Sequence, residues 1–246
     1  MSFEEERYVV SFVVPCYNES ENISKTVAEI EGAITDVGLK EYEILVVDDC
    51  SIDSTGAVVK DLAKKNHHIK LITNTQNLGL GGSYKKGVQL AGGTYVILVP
   101  GDNAYPREGI DRILARAGEA DIVIPFFANP EARTWQRQLA SRGFTFVINT
   151  LFGLDVPYFN GPVLHKVELL REIEIKTNSF AYQAEALVKL ISQGATYCSL
   201  PVNVTERTTG RSRAFAPKNV YRVAKAIFLL WYEVKTNAKC KPSLNP

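Results

Sequence analysis

Three short stretches near the start of the chain decide its fold. Residues 13–19 have the sequence Val-Val-Pro-Cys-Tyr-Asn-Glu, residues 46–55 have Val-Val-Asp-Asp-Cys-Ser-Ile-Asp-Ser-Thr, and residues 77–81 have Asn-Leu-Gly-Leu-Gly. In each stretch, polar residues or glycines follow an apolar segment of strand length. Open α/β sheets bind ligands at the carboxyl ends of such strands, so the stretches predict a binding site at one edge of a sheet.

Apolar segments of strand length alternate with helical patterns through the first half of the chain. The expected strands lie at residues 8–14, 43–47, 69–73, 95–99 and 121–125. The helices between them are expected at residues 20–37, 54–66, 80–91 and 107–118. Continuous runs of Val, Ile and Leu are typical of strands buried on both faces, so the predicted fold class is α/β with a mostly parallel central sheet flanked by helices.

The second half of the chain has longer helical patterns and a basic segment. We expect helices near residues 133–152, 179–193 and 218–235, and one more strand at residues 196–204. Residues 205–215 are polar and lack apolar anchors, which favours a surface loop.

Composition and charge limit the classes of function. The 246 residues are 46% hydrophobic and 22% charged, which is typical of a globular protein with a sizeable core. The formal net charge of +1 argues against a nucleic-acid partner for the molecule as a whole. The four cysteines have no metal-type spacing and predict a reducing, cytoplasmic location. No run approaches the roughly 18 apolar residues that span a bilayer, and no signal sequence is evident.

The three stretches together resemble the nucleotide-sugar half of family-2 glycosyltransferases. In the second half, the chain is most similar to the polyprenyl-phosphate hexosyltransferases of the dolichyl-phosphate mannose synthase type. That similarity is carried by residues 137–143, 151–154, 160–162 and 207–212, and by Phe180 with Glu185. It implies one GT-A-like domain over residues 1–246, with a nucleotide-binding half at 1–102 and an acceptor half at 103–246 that contains the basic loop and an amphipathic final helix.

The resemblance implies a donor site for a nucleotide-diphosphate sugar, either a GDP- or a UDP-hexose. Glu19, Asp48 and Asp49 follow the first two strands, where carboxylates can accept hydrogen bonds from a base and a ribose. Pro15 fixes the chain at the end of the first strand, and Tyr17 offers an aromatic face to a base. The alternative is that Glu19 caps the next helix while the two aspartates stabilise a turn.

The glycine stretch belongs to the same expected site. In the family it lies over the nucleotide-sugar, and Gly79 and Gly81 would permit close approach of the backbone because they have no side chain.

The metal motif of the family is altered in this chain. Family members usually end the fourth strand with Asp-x-Asp, whose carboxylates bind a divalent cation on the diphosphate. Here residues 100–102 are Pro-Gly-Asp, so Pro100 replaces the first aspartate and Asp102 occupies the second position. Mg²⁺ and Mn²⁺ can be held by one carboxylate with phosphates and water, and Asn103 adds a neutral oxygen ligand. The alternatives are that Asp102 only organises a turn, or that the protein binds nucleotide-sugars without catalysis.

Positive charge is concentrated near the expected acceptor side. Residues 206–225 contain six basic residues and one acid. Such a segment fits an acceptor phosphate or lipid headgroups, although a solvated surface is the alternative. The residues expected to contact the acceptor phosphate are Arg137, Arg207, Ser212 and Arg213, with Arg207 also assigned to catalysis.

The chemistry of the acceptor determines whether a base is needed. A lipid monophosphate is largely ionised at neutral pH, so it can attack the sugar without losing a proton to the protein. A hydroxyl acceptor needs a general base, for which Glu185 is the candidate because the family places a base on the corresponding helix. The alternative role for Glu185 is an ion pair with Lys189 one turn away.

The final helix has an apolar face predicted to contain Val220, Ala224, Ile227, Trp231 and Val234. This face can pack on the core or lie on a membrane surface, and both interpretations stay open at the level of sequence.

Overall fold

The computed structural model describes residues 9–129, 134–203 and 217–239, with the side chains of the last range described at 219–236. Seven strands form one sheet in the order β3-β2-β1-β4-β6-β5-β7. The strands are β1 (Val10–Cys16), β2 (Tyr42–Asp48), β3 (Ile69–Thr73), β4 (Tyr95–Leu98), β5 (Ile122–Phe127), β6 (Leu164–Lys166) and β7 (Tyr197–Val202). β6 is antiparallel to both of its neighbours, and the remaining pairs are parallel.

Helices cover both faces of this sheet. They are α1 (Ile23–Val37), α2 (Thr55–Lys65), α3 (Gly79–Leu90), α4 (Arg107–Leu114), α5 (Trp135–Phe152), α6 (Val167–Glu172), α7 (Tyr182–Ser192) and α8 (Pro217–Lys239). The mostly parallel α/β fold expected from the sequence is therefore confirmed. No helix in the three described ranges is long and apolar enough to cross a bilayer.

Alternation along the strands produces two hydrophobic cores. In β1, Phe12 faces a core formed with α1, α2 and α4, whereas Val13 faces a core formed with α3, α5, α7 and α8. Both side chains are fully buried. Because successive residues of a strand point to opposite faces, a continuous apolar run such as this one requires cover on both sides.

One strand and one helix were absent from the sequence-based prediction. β6 has only three residues, and α6 follows it directly, so neither has a periodic pattern of useful length. The middle residue of β6, His165, is completely buried. Burial lowers the pKa of His165 to about 3, so its neutral ring fills the core and does not act as a surface residue.

The topology brings the ends of β1, β2, β3 and β4 to the same edge of the sheet, because these four strands are parallel neighbours. The loops that follow them are those that the sequence assigned to the donor site. β6, β5 and β7 extend the same sheet on the other side of β4, where the expected acceptor half lies.

Candidate active site

A residue in left-handed backbone conformation lies between each of the first four strands and the body of the helix that follows it. These are Asn18 (φ 57°), Cys50 (φ 66°), Gly79 (φ 75°) and Asn103 (φ 56°). In the described ranges, the three that are not glycine are the only such residues with positive φ. That conformation is unfavourable for residues with a side chain and persists only where surrounding contacts impose it. The backbone of the loops at this edge of the sheet is therefore held in place by surrounding contacts.

Hydrogen bonds join the loop after β1 to the loop after β2. The Asn18 N–H donates to Ser51 Oγ over 2.9 Å, and the Ile52 N–H donates to Asn18 Oδ1 over 2.9 Å. The Glu19 N–H donates to Thr55 Oγ1, again over 2.9 Å. These bonds fix Glu19 at the start of the site and explain how two distant stretches of sequence share one surface.

The carboxylates of the two loops lie close together around the end of β1. Burial raises the pKa of the Cys16 thiol, and the negative charges of Asp48, Glu19, Asp53 and Asp49 raise it further. Glu19, Asp48 and Asp49 therefore all lie near Cys16, whose buried thiol stays protonated.

Asp49 does not present an open carboxylate to a ligand. One oxygen accepts hydrogen bonds from the Leu78 N–H (2.9 Å) and the Asn74 side chain (2.8 Å), and the other accepts from the Gly79 N–H (2.8 Å). Its side chain is only 4% exposed. A carboxylate is stabilised at a helix N-terminus by the free N–H groups and the helix dipole. Asp49 therefore anchors the start of α3, and its role toward a nucleoside stays a prediction.

The other predicted nucleoside residues are placed differently. Asp48 is buried and accepts a hydrogen bond from the Ser51 N–H through one oxygen. Glu19 is half-buried, and one of its oxygens accepts a hydrogen bond from the Asn22 side chain over 2.8 Å. Pro15 is buried at the end of β1, and Tyr17 is half-buried in the loop that follows. Glu19 and Tyr17 are thus the more accessible of the predicted donor-site residues.

The glycines at the start of α3 allow another segment of the chain to pack closely against them. A Cβ on Gly81 would lie 3.0 Å from the backbone of Asn178 and 3.0 Å from Cβ of Tyr182. Gly79 needs its positive φ, and its nearest contact is again Asn178. The sequence placed these glycines against the nucleotide-sugar, whereas the structure packs the segment before α7 on them. Gly79 and Gly81 therefore allow this packing, and their role at the donor site stays a prediction.

The Pro-Gly-Asp segment is tied to the end of β1. The Gly101 N–H donates to the Pro15 carbonyl over 3.0 Å, and a Cβ on Gly101 would lie 2.9 Å from Cβ of Cys16. Such a distance excludes a side chain, which explains the glycine between Pro100 and Asp102.

Asp102 and Asn103 supply the oxygens at the expected metal position. Asp102 is half-buried, and the Asn103 N–H donates to Thr26 Oγ1 over 3.0 Å. The side-chain oxygen of Asn103 is buried and has no hydrogen-bond partner within the part of the chain that the structure describes. Among the described residues, no group of three or more His, Cys, Asp or Glu side chains gathers. This donor set fits a divalent cation that takes most of its ligands from phosphates and water.

A cleft of about 260 Å³ opens beside the Pro-Gly-Asp segment. Its walls come from the end of β4, from α5, from residues 158–161 and from the start of α7. The half-buried Arg137 of α5, which the sequence assigned to the acceptor phosphate, lines this cleft. The lining residues are Leu80, Leu98, Pro100, Tyr105, Arg137, Ala140, Ser141, Phe144, Tyr158, Asn160, Gly161, Phe180, Tyr182 and Gln183.

Glu185 is buried in an ion pair and does not line this cleft. Its two oxygens accept hydrogen bonds from the N–H groups of Lys176 and Thr177, each over 2.9 Å. The Lys189 ammonium lies 2.9 Å from the same carboxylate and 3.2 Å from Glu233 of α8. The ion pair considered as the alternative is therefore present and gives Glu185 a structural role, whereas its role as a base stays a prediction.

Some predicted site residues lie outside the described ranges, and some residues of the cleft were not predicted. Arg207, Ser212 and Arg213 lie outside the described residues, as does the loop expected at 205–215. Sequence reasoning overlooked Asn178 and Gln183 and, apart from Phe180, the aromatic side chains of the cleft. Gln183 could have been noticed as a polar residue in a helix whose neighbours are almost all apolar.

The sheet order and the edge carrying Asp102 define a GT-A type of α/β fold. The sequence profile described as "Glycosyl transferase family 2" matches residues 11–173, which is more than half of the chain. The protein therefore belongs to glycosyl transferase family 2.

A curated relative and two solved structures illustrate the similarity. The chain is 28% identical over 216 residues to undecaprenyl-phosphate 4-deoxy-4-formamido-L-arabinose transferase of Enterobacter sp. (strain 638), covering 83% of this chain and 62% of the relative. Mannosyl-3-phosphoglycerate synthase from Rubrobacter xylanophilus has a TM-score of 0.71 at 16% identity, covering 97% of this chain and 78% of that one. A mannosyltransferase from Pyrobaculum calidifontis, solved with GDP-Man and Mn²⁺, has a TM-score of 0.62 at 18% identity, covering 98% and 77%.

Proposed function

We propose that this protein is an inverting glycosyltransferase that moves a hexose from a nucleotide-diphosphate sugar to a polyprenyl phosphate. The observation that carries the proposal is the position of Asp102. It follows β4 at the edge where the loops of β1 and β2 meet, directly beside a cleft lined by aromatic residues and an arginine. Family membership supports sugar transfer as the reaction class.

The donor is proposed to lie across the carboxyl edge. Tyr17 and Glu19 are accessible there for the base and ribose, and Asp48 lies beside them. The diphosphate would then reach Asp102, and the sugar would enter the cleft. The structural relative solved with GDP-Man supports a nucleotide-sugar as the donor.

A divalent cation, Mg²⁺ or Mn²⁺, is proposed at Asp102 and Asn103. When bound, such an ion stabilises negative charge on the departing nucleotide diphosphate. The protein contributes few ligands, because Pro100 has no side-chain oxygen, so the donor's phosphates would complete the coordination. The Mn²⁺ in the structure of the mannosyltransferase relative supports this assignment.

The acceptor is proposed to be the phosphate of a polyprenyl lipid. One phosphate oxygen attacks the anomeric carbon from the face opposite the nucleotide, and the bond from that carbon to the diphosphate oxygen breaks. The ionised phosphate has no proton to lose in this step, so no general base is required. Arg137 is placed in the cleft to orient the phosphate, and its planar fork suits two phosphate oxygens. Arg207, Ser212 and Arg213 are assigned to the same phosphate from the sequence.

A second groove supports a lipid acceptor. It has a volume of about 360 Å³ and shares Ser141 and Tyr158 with the first cleft. Three phenylalanines, Phe126, Phe127 and Phe146, line it. A largely apolar groove next to the reaction cleft fits the first isoprene units of a polyprenyl chain. The curated relative is named for action on undecaprenyl phosphate, and this chain spans 62% of its length.

Contact with a membrane surface is part of this proposal. α8 packs on the core through Leu230, which is 4% exposed, and through the half-buried Ile227 and Val234. Its other side exposes Phe228 and Tyr232 to 63% and 60%. A helix with one packed side and an exposed aromatic side suits the interface of a bilayer. The packed stripe also corrects the predicted one, because Val220 and Ala224 are exposed.

The proposal is tested by a screen for donor and acceptor. The protein is incubated with Mn²⁺ and UDP- or GDP-hexoses, and released nucleotide is measured with a short polyprenyl phosphate, with the matching polyprenyl alcohol, or with neither. We expect release that depends on the phosphate. Release that depends on the alcohol would favour transfer to a hydroxyl, and tight nucleotide binding without stimulated release would favour a non-catalytic binding protein.

A further inference from the structure

Gln183 carries a buried amide that the protein does not satisfy. The side chain is 1% exposed, and neither its oxygen nor its nitrogen has a hydrogen-bond partner among the described residues. Buried polar groups in folded proteins are nearly always paired, so an unpaired amide is a departure that calls for an explanation. Gln183 is also a lining residue of the 260 Å³ cleft, which provides a place for a missing partner.

The cleft around this amide has the size and walls of a site for a single sugar ring. Its volume lies below the roughly 300–1,000 Å³ of sites that hold whole drug-sized ligands, so it fits a part of the donor. Aromatic side chains at Tyr105, Phe144, Tyr158 and Phe180 form much of its wall. Pro100 also contributes to the wall.

The chemistry of an amide indicates what it binds. Gln183 offers two N–H donors and one carbonyl acceptor, and a hydroxyl group both donates and accepts. A phosphate has acceptors only and would leave the amide oxygen unpaired, and Arg137 in the same cleft suits it better. A hydroxyl-bearing ring therefore satisfies Gln183 more completely than the phosphate of donor or acceptor does.

We propose that Gln183 is a specificity-determining residue that binds a hydroxyl group of the transferred sugar. This inference rests on the proposed function and adds to it the residue that selects the sugar. Gln183 contacts the substrate in this proposal but takes no part in the bond-forming step.

The test compares Gln183→Met with Gln193→Met. Methionine preserves the length and approximate volume of the side chain and removes both polar groups, and Gln193 is an exposed glutamine at the end of the same helix. Binding is measured by calorimetry with Mn²⁺ for UDP, UDP-glucose, GDP and GDP-mannose. The sugar that binds best is then compared with its mono-deoxy analogues.

We expect Gln183→Met to bind the free nucleotides as the wild type does and to lose about 10- to 100-fold in affinity for the preferred nucleotide-sugar. One deoxy analogue should bind the variant and the wild type equally, because it lacks the hydroxyl that Gln183 contacts. The melting temperature of Gln183→Met should be equal to or above that of the wild type, since an unpaired buried group is removed.

Three results would count against this account in different ways. An equal affinity of wild type and Gln183→Met for every nucleotide-sugar overturns the role of Gln183 and leaves the proposed function standing. If Gln183→Met loses the same factor of affinity for every deoxy analogue and has a lower melting temperature than the wild type, Gln183 has a structural role. Failure of the wild-type protein to bind any nucleotide or nucleotide-sugar overturns the proposed function itself.

Discussion

At the scale of single residues, the carboxyl edge of the sheet is shaped by side chains that bind backbone N–H groups. Asp49 is the clearest case, because both of its oxygens are used to hold the start of α3. The sequence predicts a ligand role for Asp49 and does not reveal the anchoring role, since a carboxylate after a strand has the same appearance in either role. Only the fold brings Leu78 and Gly79 to it.

The anchoring role of Asp49 predicts a loss of stability. Asp49→Ala leaves two N–H groups and the Asn74 side chain without their acceptor, which should cost about 3 kcal/mol in the free energy of unfolding. Asp49→Asn keeps one carbonyl oxygen, so its free energy of unfolding should lie between those of Asp49→Ala and the wild type. Urea denaturation measures both. If Asp49→Ala is as stable as the wild type but binds nucleotide more weakly, the anchoring role is contradicted and Asp49 is a ligand-binding residue.

Pro100 stands where the resemblance to the family implies the first carboxylate of the metal motif. The first carboxylate of the metal motif is replaced by a ring that lines the cleft. The departure was visible in the sequence, but its consequence was not, because the position of residue 100 against α5 and α7 depends on long-range packing. Gln183 was overlooked for the same reason, since burial without a partner is not a property of sequence.

At the scale of elements, one ion-pair network joins α7 to α8 and to the segment before α7. Glu185, Lys189, Glu233 and Lys176 form it, and the segment that they hold packs on the glycines of α3 through Asn178. Hydrogen bonds from Lys176 and Lys189 lower the pKa of Glu233 against the opposing effect of its burial. The network therefore connects the helix nearest the proposed membrane to the donor side.

Glu185→Gln distinguishes a structural carboxylate from a general base. The variant leaves the buried Lys189 with one carboxylate fewer and should lower the free energy of unfolding by about 2 kcal/mol. Transfer to a lipid phosphate, measured per folded molecule, should change by less than about tenfold, whereas loss of a base costs about 10²–10⁴. The matched control is Glu168→Gln, an exposed glutamate of α6. A large loss of rate with unchanged stability would restore Glu185 as the base.

The exposed side of α8 predicts binding to vesicles. Replacing Phe228 and Tyr232 together by serine removes two large exposed side chains and should weaken binding to vesicles containing anionic phosphatidylglycerol at least about tenfold. Leu90→Ser on α3, which removes another exposed apolar side chain, should have no effect. Co-sedimentation with vesicles measures the affinities. Equal binding by all three proteins would exclude this helix as the contact.

At the scale of the whole molecule, most of the fold could be predicted because α/β alternation is a local signal. Strands β1 to β5 and β7 and the long helices were found within a few residues of their bounds. The order of the sheet was not predicted, because β6 is too short to have a pattern and yet separates β4 from β5. The resemblance to the family was specific for the donor half, where glycine and carboxylate spacing is fixed by the loops.

Asp121 joins the three strands of the second half and predicts a dependence of stability on pH. Its carboxylate lies 2.8 Å from the Lys166 ammonium and accepts hydrogen bonds from the N–H and hydroxyl of Thr196. The hydrogen bond from Lys166, aided by those from Thr196, lowers the pKa of Asp121 to about 2 from its ordinary value of 3.8. The folded state therefore favours the ionised carboxylate, and the resulting stability is present above pH 4 and lost as the pH falls towards 2.

Urea denaturation between pH 7 and pH 2 tests this linkage. At neutral pH, Asp121→Asn should be less stable than the wild type by about 1–2 kcal/mol, a value reduced for partial exposure. The difference should shrink between pH 4 and pH 2. Asp155→Asn removes an exposed loop carboxylate and serves as the control. A difference that is the same at every pH would show that the charge of Asp121 is not the cause.

The measurement that tests the central claim most directly is sugar transfer by Asp102→Ala. The rate of nucleotide release with Mn²⁺ and a short polyprenyl phosphate is compared with that of the wild type, and the affinity for the free nucleotide is measured without metal. We predict that the rate falls by a factor of about 10²–10³, because the negative charge on the departing diphosphate is no longer stabilised. The metal-free affinity should be unchanged. Transfer by Asp102→Ala at the wild-type rate would contradict the assignment of this edge of the sheet as the catalytic site.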